Sequence, residues 1–516
     1  MTSAAEQTYI RILYAMTHAP RTDAPVAAGD LRARAREIAL EHGFVADIPA
    51  DARAEVARLA RSDGNIGGDG DTHSEVEDLR SLLWSSIDNR DTRDLDQVEF
   101  CEPLGGGATR LRLGIADVDQ FVAKGSAIDR HAAANTTSLY TGVETFSMLP
   151  EELSTDMTSL VEGVERLVVV VDLVVNAGGE VEETRVYRAL IVNRAKLAYD
   201  PVGMWLAGAT PIPEEFAAIP GLEEQIRRQD DVALRLRSRR HERGALDLET
   251  IEARPVISGG EVIDLEVRRK SRARELIEDF MIAANVAMAQ FLETRRVPSI
   301  RRVVRAPNRW ARIVELAGRY GDVLAGEPSS AALATFLRRR RSESPSTFAD
   351  LSLSVVKLLG AGEYRVERPW EPDGEEGHFG LAVDDYSHTT APNRRYADLV
   401  MQRLVKATVA GTAVPYEAEE LDRIASRCTA MENAARKVER EMRKVVATTL
   451  LANRVGESFD AIVTGVTQRG TFARLLHPPV EGRVVRGEKG MDVGDRTRLT
   501  LVEVDATQGF IDFAAN

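Results

Sequence analysis

The segment Ser86-Ile-Asp-Asn-Arg-Asp-Thr-Arg-Asp-Leu-Asp-Gln97 packs four aspartates into the nine positions from 88 to 96. In an extended chain, Asp94 and Asp96 would point to the same side. Carboxylates held this close repel each other unless a cation lies between them, and oxygen ligands completed by water suit Mg²⁺. Two such ions can activate a water and stabilise the leaving oxygen in phosphodiester hydrolysis. The spacing therefore predicts either a magnesium site or an acidic surface turn.

A calcium loop is a third interpretation of the same segment. Counted from Asp88, Glu99 falls where an EF-hand has its last ligand. However, Arg90 stands at a ligand position and Arg93 replaces the central glycine of such a loop. The calcium interpretation fits poorly, and the spacing by itself leaves the magnesium site and the surface turn open.

The composition is that of a globular protein rather than a disordered or fibrous one. The chain of 516 residues carries 81 Asp and Glu against 67 Lys and Arg, a formal net charge of −14, and 44% of its residues are hydrophobic. Residues 167–175 form the longest apolar stretch, which is too short for a membrane helix, and residues 1–19 do not resemble a signal peptide. Two distant cysteines, Cys101 and Cys428, predict no disulfide framework or zinc site. We therefore expect a cytoplasmic protein with no membrane association.

Positive charge is concentrated locally, which matters because an acidic chain binds nucleic acid only through such concentrations. Arginines cluster within residues 235–243, 295–305 and 338–341. Each cluster is either a solvated helix face or a basic surface for phosphates.

Three regions follow one another along the chain. Helical periodicity in residues 1–75 predicts a small all-helical unit, which is either helix-turn-helix-like or a packing appendage. A Gly/Asp-rich linker at residues 62–71 lies near the end of this region. Alternating strands and long helices predict one large α+β domain over residues 76–453. Five short β runs in residues 454–516 match an OB-fold barrel.

An ordered series of motifs resembles the RNase II or RNB family of 3′→5′ exoribonucleases. The series begins at the acidic segment and ends at Tyr386-Ser-His-Thr-Thr-Ala-Pro-Asn-Arg-Arg-Tyr-Ala-Asp398, which is similar to the family signature tyrosine-x-histidine-phenylalanine-threonine-serine-proline-isoleucine-arginine-arginine-tyrosine. Between them lie Gly114-Ile-Ala-Asp-Val-Asp119, Gly125-Ser-Ala-Ile-Asp129, Thr137-Ser-Leu-Tyr140, Met148-Leu-Pro-Glu-Glu-Leu-Ser154, Arg243-Gly-Ala-Leu-Asp247 and residues 276–285. The resemblance implies an α+β fold in which a large RNB-type catalytic domain follows the helical unit and precedes an S1-type, five-stranded OB barrel. It also implies that the helical unit stands where most bacterial relatives carry two cold-shock domains.

The resemblance assigns the acidic residues to a metal site. Asp88, Asp94 and Asp96 fall on three of the four acidic positions that hold Mg²⁺, with two ions in the active complex, and the scissile phosphate. Gln97 occupies the fourth, where the best-known members have aspartate. A neutral amide can still ligate through its carbonyl oxygen, but it supplies no negative charge.

The resemblance also assigns residues to RNA. Arg394 matches the arginine that neutralises phosphate charge in the transition state, so the implied catalytic residues are this arginine and the three aspartates. Tyr140 matches an aromatic that stacks on a terminal base, whereas Leu248 stands where its aromatic partner is expected. In the barrel, Phe472 is the candidate for stacking a base.

The function implied is a Mg²⁺-dependent, hydrolytic 3′→5′ exoribonuclease. It would degrade single-stranded RNA to nucleoside 5′-monophosphates and a short limit oligonucleotide, with no obligate protein partner evident. Gln97 and Leu248 favour an alternative, an RNB-fold RNA-binding regulator with a weakened catalytic site. A phosphorolytic enzyme that uses inorganic phosphate as the nucleophile is a second alternative.

Overall fold

The computed structural model describes residues 28–61, 76–249, 252–258, 261–268, 270–345, 347–371, 377–467, 470–505 and 509–515. The first 27 residues of the predicted helical unit and the Gly/Asp-rich linker lie outside these ranges. The α-helices are α1 Ala28–Glu41, α2 Ala50–Arg61, α3 Ala127–Asn135, α4 Tyr199–Leu206, α5 Glu214–Ala217, α6 Leu222–Glu242, α7 Arg272–Thr294, α8 Trp310–Arg319, α9 Ser330–Glu343, α10 Phe348–Leu359, α11 Tyr396–Ala410 and α12 Ala418–Leu451.

The described strands fall into one large sheet, two-stranded sheets and a barrel. They are β1 Val76–Asp78, β2 Trp84–Asp88, β3 Gln97–Pro103, β4 Thr109–Ala116, β5 Leu139–Tyr140, β6 Thr145–Phe146, β7 Glu165–Val175, β8 Val181–Ala198, β9 Glu252–Ser258, β10 Glu261–Arg268, β11 Ser299–Val303, β12 Glu363–Glu367, β13 Ser458–Thr467, β14 Gly470–Leu475, β15 Glu481–Arg486, β16 Arg496–Asp505 and β17 Phe510–Ala515.

The large sheet has the strand order β1-β8-β2-β3-β4-β7, and β7 also pairs with β8. Five of its strands therefore form a closed ring with β1 added outside it. The long strand β8 makes this possible, because its first part pairs antiparallel with β7 and its last part pairs parallel with β2. Runs of Val and Leu in β7 favour a buried strand, and seven consecutive residues of that strand are buried.

Helices cover the sheet and close the main core. On α7, buried positions such as Leu276, Phe280 and Met288 recur at helical spacing, and Ser271 caps the helix by accepting a hydrogen bond from the amide of Arg274. A second, smaller core lies among α8, α9 and α10 and includes Trp310 and Phe336.

The helix α2 packs on the α+β region. Ala52 and Val56 of α2 are buried in the main core. The side chain of Glu55 accepts a hydrogen bond from the amide of Ile128 at the start of α3 (3.1 Å). Asp51 also forms an ion pair with Arg130 (2.9 Å). Residues 50–61 thus share a core with the helices and strands that follow them.

The chain divides into two compact units. The larger contains residues 36–254 and 267–440, and the smaller contains residues up to 35, residues 255–266 and residues 441–516. Within the smaller unit, β13 to β17 close into a barrel in the order β13-β14-β15-β17-β16 around buried side chains such as Leu475 and Phe513. Gly482 is required there, because a Cβ atom would lie 2.5 Å from the carbonyl oxygen of Ile511. The predicted α+β class and OB barrel are confirmed.

None of the helices that the structure describes is long and apolar enough to cross a membrane.

Candidate active site

The acidic segment connects two neighbouring strands of the large sheet. Asp88 is the last residue of β2, and Gln97 is the first residue of β3. These strands are antiparallel, with Ser85 opposite Glu99. The two ends of the segment therefore lie side by side where these two strands end, so that Asp88 lies near Asp96 and Gln97 along the backbone.

Hydrogen bonds hold the loop between these ends in one conformation. The Oδ1 atom of Asp88 accepts from the backbone amide of Asn89 (2.6 Å) and from the Thr92 hydroxyl (2.9 Å). Lys196, near the end of β8, donates its ammonium to the carbonyl oxygen of Thr92 (2.6 Å). The Ser159 hydroxyl donates to the carbonyl oxygen of Arg93 (2.6 Å). The loop is therefore anchored from three sides.

Asp96 lies against Arg394. Its side chain is only 3% exposed, and its Oδ2 atom is 3.4 Å from Nε of Arg394, whose side chain is 47% exposed. The backbone amide of Asn393 donates to Oδ1 of Asp96 (3.3 Å). Burial raises the pKa of Asp96 to about 7, although the guanidinium of Arg394 opposes this shift. The pair thus combines a buried carboxyl with an accessible cation.

Neighbouring aspartates of the segment raise one another's pKa values by repulsion. Burial raises the pKa of Asp94, Arg394 opposes the shift and Asp88 adds to it by repulsion. Asp94 in turn contributes to the raised pKa of Asp96. Gln97 is buried beside them, with 7% exposure. Negative charge is therefore concentrated where β2 and β3 end, and a bound cation would offset the repulsion between these carboxylates.

The donor set fits Mg²⁺ whose shell is completed by water and substrate. Within the described part of the chain, no group of three or more His, Cys, Asp or Glu side chains converges closely enough to hold a metal ion alone. Mg²⁺ commonly binds through one or two carboxylates, several waters and substrate phosphates, so the pairs Asp88 with Asp94 and Asp94 with Asp96 are sufficient. The amide oxygen of Gln97 can add a neutral ligand.

The loop that carries Arg394 is fixed by Asp398. This fully buried carboxylate accepts hydrogen bonds from the amide of Ala391 (2.8 Å) and from the guanidinium of Arg395 (2.6 Å). Nearby, His388 lies 2.9 Å from the hydroxyl of Tyr364, and burial keeps the pKa of this histidine well below its usual range. Arg395 and His388 thus stabilise the scaffold around this loop.

We expect Asp398→Ala to lower the free energy of unfolding by about 3–5 kcal/mol, because it leaves Arg395 buried without its carboxylate. RNA cleavage should fall as well, since the loop at Arg394 loosens. Chemical denaturation measures the first effect. The control is Asp422→Asn, which removes a partly exposed partner of Arg368 and should change stability by less than about 1 kcal/mol. Equal stabilities of the two variants would contradict the prediction.

Tyr140 lies at the same site. It follows Ser138, whose amide donates to the carbonyl oxygen of Arg394 (3.0 Å). Its side chain is 43% exposed. Burial of the hydroxyl raises its pKa to about 12, and the charges that act on it include Arg394, Asp94 and Asp96. An accessible aromatic ring therefore lies next to the buried carboxylates.

Leu248 and Phe472 belong to other elements of the fold. Leu248 packs against the core of α8, α9 and α10. Phe472 belongs to the smaller unit, where it alternates with the buried residues Thr471 and Ala473 and lies opposite Arg483 on the outside of the barrel.

Arg274 and Tyr199 were not predicted from the sequence as site residues. The guanidinium of Arg274, in the first turn of α7, donates to the side-chain oxygen of Asn89 (3.1 Å) and lies 4.3 Å from the ring centre of Tyr199. Burial raises the pKa of Tyr199, and Asp88 and Glu99 add to the shift. The parallel pairing of Asp88 with Ala198 explains why the residue after β8 reaches the site.

Arginines of the three clusters stabilise the fold through ion pairs. Many of their members are ion-paired within the larger unit: Arg237 with Glu275, Arg239 with Glu180, Arg240 with Asp279, Arg301 with Glu293, Arg302 with Glu432 and Arg341 with Asp247. For these residues the interpretation as an RNA surface loses its support, because their charges are already neutralised.

Comparison with known proteins confirms the resemblance. The RNB domain family matches residues 76–411, and the RNase II-type exonuclease C-terminal S1 domain matches residues 457–516. Ribonuclease R of Vibrio cholerae is 31% identical over 424 residues, which cover 79% of this chain and 50% of the relative. Ribonuclease R of Escherichia coli is 30% identical over 79% of this chain and 51% of its own. The chain thus spans about half the length of these curated relatives.

The fold is shared with solved structures. The structure of Mycoplasma genitalium RNase R in complex with ribose methylated single-stranded RNA superposes with a TM-score of 0.80 at 22% identity, covering 94% of this chain and 78% of the other.

Proposed function

Because the chain belongs to the RNB family, we propose that it is a Mg²⁺-dependent exoribonuclease that hydrolyses single-stranded RNA from its 3′ end. One observation carries the proposal. The buried carboxylate of Asp96 lies 3.4 Å from Arg394, whose side chain is half exposed and whose charge lowers the raised pKa of the accessible Tyr140. This combination offers a negative site for a cation, a positive group for a phosphate and an aromatic surface for a base.

Each of the chain's own groups has a distinct role in this proposal. Asp88, Asp94 and Asp96 hold Mg²⁺ with the amide oxygen of Gln97. When bound, Mg²⁺ supplies a water of lowered pKa and neutralises phosphate charge. Arg394 presents paired N–H donors to the phosphate oxygens, where negative charge develops as the nucleophile attacks.

Tyr140 orients the terminal nucleotide. Every base has a π-face, so stacking on this ring accepts any sequence, as an exonuclease requires. Because Leu248 packs into the helical core, the ring has no aromatic partner from that position. We therefore expect the terminal base to be held from one side and the last few nucleotides to be released as a short oligonucleotide.

Product analysis tests the direction and the chemistry together. With RNA labelled at its 3′ end, the label should appear at once as a nucleoside 5′-monophosphate. With label at the 5′ end, the RNA should shorten to a small product. Nucleoside diphosphates formed when inorganic phosphate is added would show the phosphorolytic alternative, and an intact but bound RNA would show the regulator.

The barrel is proposed to bind RNA upstream of the terminal nucleotide. We expect Phe472→Ala to weaken single-stranded RNA binding by about 5- to 150-fold, because stacking contributes about 1–3 kcal/mol per base. Fluorescence anisotropy with a labelled RNA measures this loss. Phe510→Ala is the control, since Phe510 is an exposed barrel aromatic that lies over Lys444. The prediction fails if the two variants bind RNA equally well.

The raised pKa of Asp96 makes the stability of the metal-free protein depend on pH. Its pKa is about 7 in the folded chain and about 4 in an unfolded one, so the folded state binds more protons between these values. Stability contributed by protonated Asp96 is therefore present at low pH and is lost as pH rises from about 4 to about 7. In chelator, the unfolding temperature of the wild type should fall more between pH 5 and pH 8 than that of Asp96→Asn. Parallel pH dependences would rule the effect out.

We also propose the division of the chain into residues 1–75, 76–453 and 454–516, and a cytoplasmic location. The starts of the two family matches, at residues 76 and 457, support these limits. The packing of Ala52 and Val56 in the main core favours the packing appendage over a separate helix-turn-helix unit. The two buried cysteines, which form no disulfide, are compatible with a reducing compartment.

A further inference from the structure

Asn135 joins the segment between α1 and α2 to the end of α3. It is 1% exposed, and its side chain accepts a hydrogen bond from the backbone amide of Val45 (2.8 Å) and donates one to the carbonyl oxygen of the same residue (3.0 Å). These are the two bonds that a residue of an antiparallel strand exchanges with its partner. The backbone at Val45 is thus fixed to a side chain from a distant part of the chain.

The residue after Asn135 has a backbone conformation that its side chain disfavours. Thr136 has a φ of 57°, in the left-handed region, and its amide donates to the carbonyl oxygen of Ala132 in α3 (2.7 Å). A β-branched residue is rarely found in this region, and a strained residue persists only where the surrounding structure holds it in place. The bonds between Asn135 and Val45 supply such support on one side of Thr136.

The loop that carries Arg394 supplies the support on the other side. The carbonyl oxygen of Thr136 accepts a hydrogen bond from the amide of Tyr396 (2.8 Å). The carbonyl oxygen of Arg394 accepts from the amide of Ser138 (3.0 Å) and from the hydroxyl of Thr137 (3.2 Å). The backbone at Arg394 is therefore held by the three residues that directly follow α3.

Other contacts between the N-terminal part and α3 lie at the opposite end of this helix. Glu55 accepts a hydrogen bond from the amide of Ile128. Asp51 pairs with Arg130, and both of these side chains are more than half exposed. Ile128 and Arg130 belong to the first turn of α3, whereas Asn135 is its last residue. Docking of α2 can therefore be perturbed separately from the end of α3 that leads to the active site.

We propose that Asn135 is a positioning residue for RNA cleavage, which fixes the strained Thr136 and, through it, the backbone that presents Arg394 to the phosphate. This inference rests on the proposed function, because it concerns the step that Arg394 assists. It makes the segment at Val45 part of the support of the active site. The N-terminal part then affects the rate of cleavage in addition to packing on the main core.

Steady-state kinetics of the full chain with a short RNA tests the inference. Asn135→Ala should lower kcat by about tenfold or more, with a smaller change in KM, because a displaced Arg394 interacts less well with the transition state. Asp51→Asn is the matched control, since it weakens an exposed pair at the other end of α3, and its kcat should equal that of the wild type. A wild-type kcat for Asn135→Ala, or equal losses in both variants, would overturn the inference.

A second substitution distinguishes positioning from a loss of stability. Glycine adopts the left-handed conformation without strain, so a chain with glycine at position 136 depends less on the support from Val45. The double variant Asn135→Ala/Thr136→Gly should therefore recover most of the kcat that Asn135→Ala loses. A double variant as slow as the single one would overturn the inference, because the effect would not pass through Thr136.

A double-mutant cycle measures the coupling to Arg394. If Asn135 acts through this arginine, adding Asn135→Ala to Arg394→Ala should change kcat by less than about twofold, since the interaction that it supports is already absent. An undiminished effect of Asn135→Ala in that background would show that Asn135 acts by another route, and the inference would be wrong.

Hydrogen exchange provides a measurement that needs no RNA. In Asn135→Ala, the amides of Ser138 and Tyr396 should exchange faster than in the wild type, because they donate between the two segments. Exchange in the buried strand β7 should stay unchanged. Unchanged exchange at Ser138 and Tyr396 would overturn the inference, and so would faster exchange throughout the chain, which would indicate a general loss of stability.

The outcomes separate this inference from the proposed function. If the wild type cleaves RNA and Asn135→Ala cleaves it equally fast, the inference is wrong and the function stands. If the wild type does not cleave RNA, the proposed function fails and the inference fails with it.

Discussion

Asp96→Asn is expected to reduce the rate of RNA cleavage by about 10³-fold while RNA binding persists. Asp96 is the most deeply buried carboxylate of the acidic segment and the one paired with Arg394. Asparagine keeps the size and the hydrogen-bond acceptor but removes the negative charge that holds the cation. Single-turnover cleavage of a labelled RNA measures the rate, and anisotropy measures binding.

Asp91→Asn is the matched control for this variant. Asp91 lies in the same loop, is exposed and is not one of the positions that the family resemblance assigns to the metal. Its cleavage rate should stay within about twofold of the wild type, as for surface substitutions away from a site. Comparable losses in both variants would mean that the whole loop, rather than Asp96, is required.

Arg394→Ala is expected to lower kcat by about 10²- to 10³-fold, with a smaller change in KM. The guanidinium is half exposed beside Asp96, so it can reach a phosphate without leaving its place in the fold. Its interaction strengthens as charge develops in the transition state, which is why the effect falls mainly on kcat. Steady-state kinetics with a short RNA measures both constants.

Two further variants define the role of Arg394. Arg394→Lys should recover only part of the rate, because lysine lacks the paired donors of arginine. Arg93→Ala should leave the rate unchanged, since Arg93 is an exposed arginine of the acidic loop that pairs with Glu151. A loss confined to KM would indicate that Arg394 only binds RNA.

The sequence predicted the parts of the fold and site that depend on local pattern or on ordered motifs. The sequence pattern predicted five short β runs in residues 454–516, where the structure has the strands β13 to β17. The contact between Arg394 and Asp96 could not be predicted from the spacing of residues, because the two residues are far apart in the chain. It followed instead from the resemblance, which carries the geometry of a known fold.

The remaining features depend on contacts that no local pattern records. Arg274 reaches Asn89 only because α7 packs beside the end of β2. Both carboxyl oxygens of Glu99 are buried without a hydrogen-bond partner, which is visible only once β2 and α6 are in place. The arginine clusters were ambiguous for the same reason, because their carboxylate partners come from other helices and strands.

The most direct test of the central claim is the fate of a 5′-labelled single-stranded RNA incubated with the purified chain and Mg²⁺. We predict that the wild type shortens the RNA to a small product and releases nucleoside 5′-monophosphates, and that excess chelator stops the reaction. RNA that is bound but remains intact in the presence of Mg²⁺ would contradict the account and identify the chain as an RNA-binding protein with an inactive site.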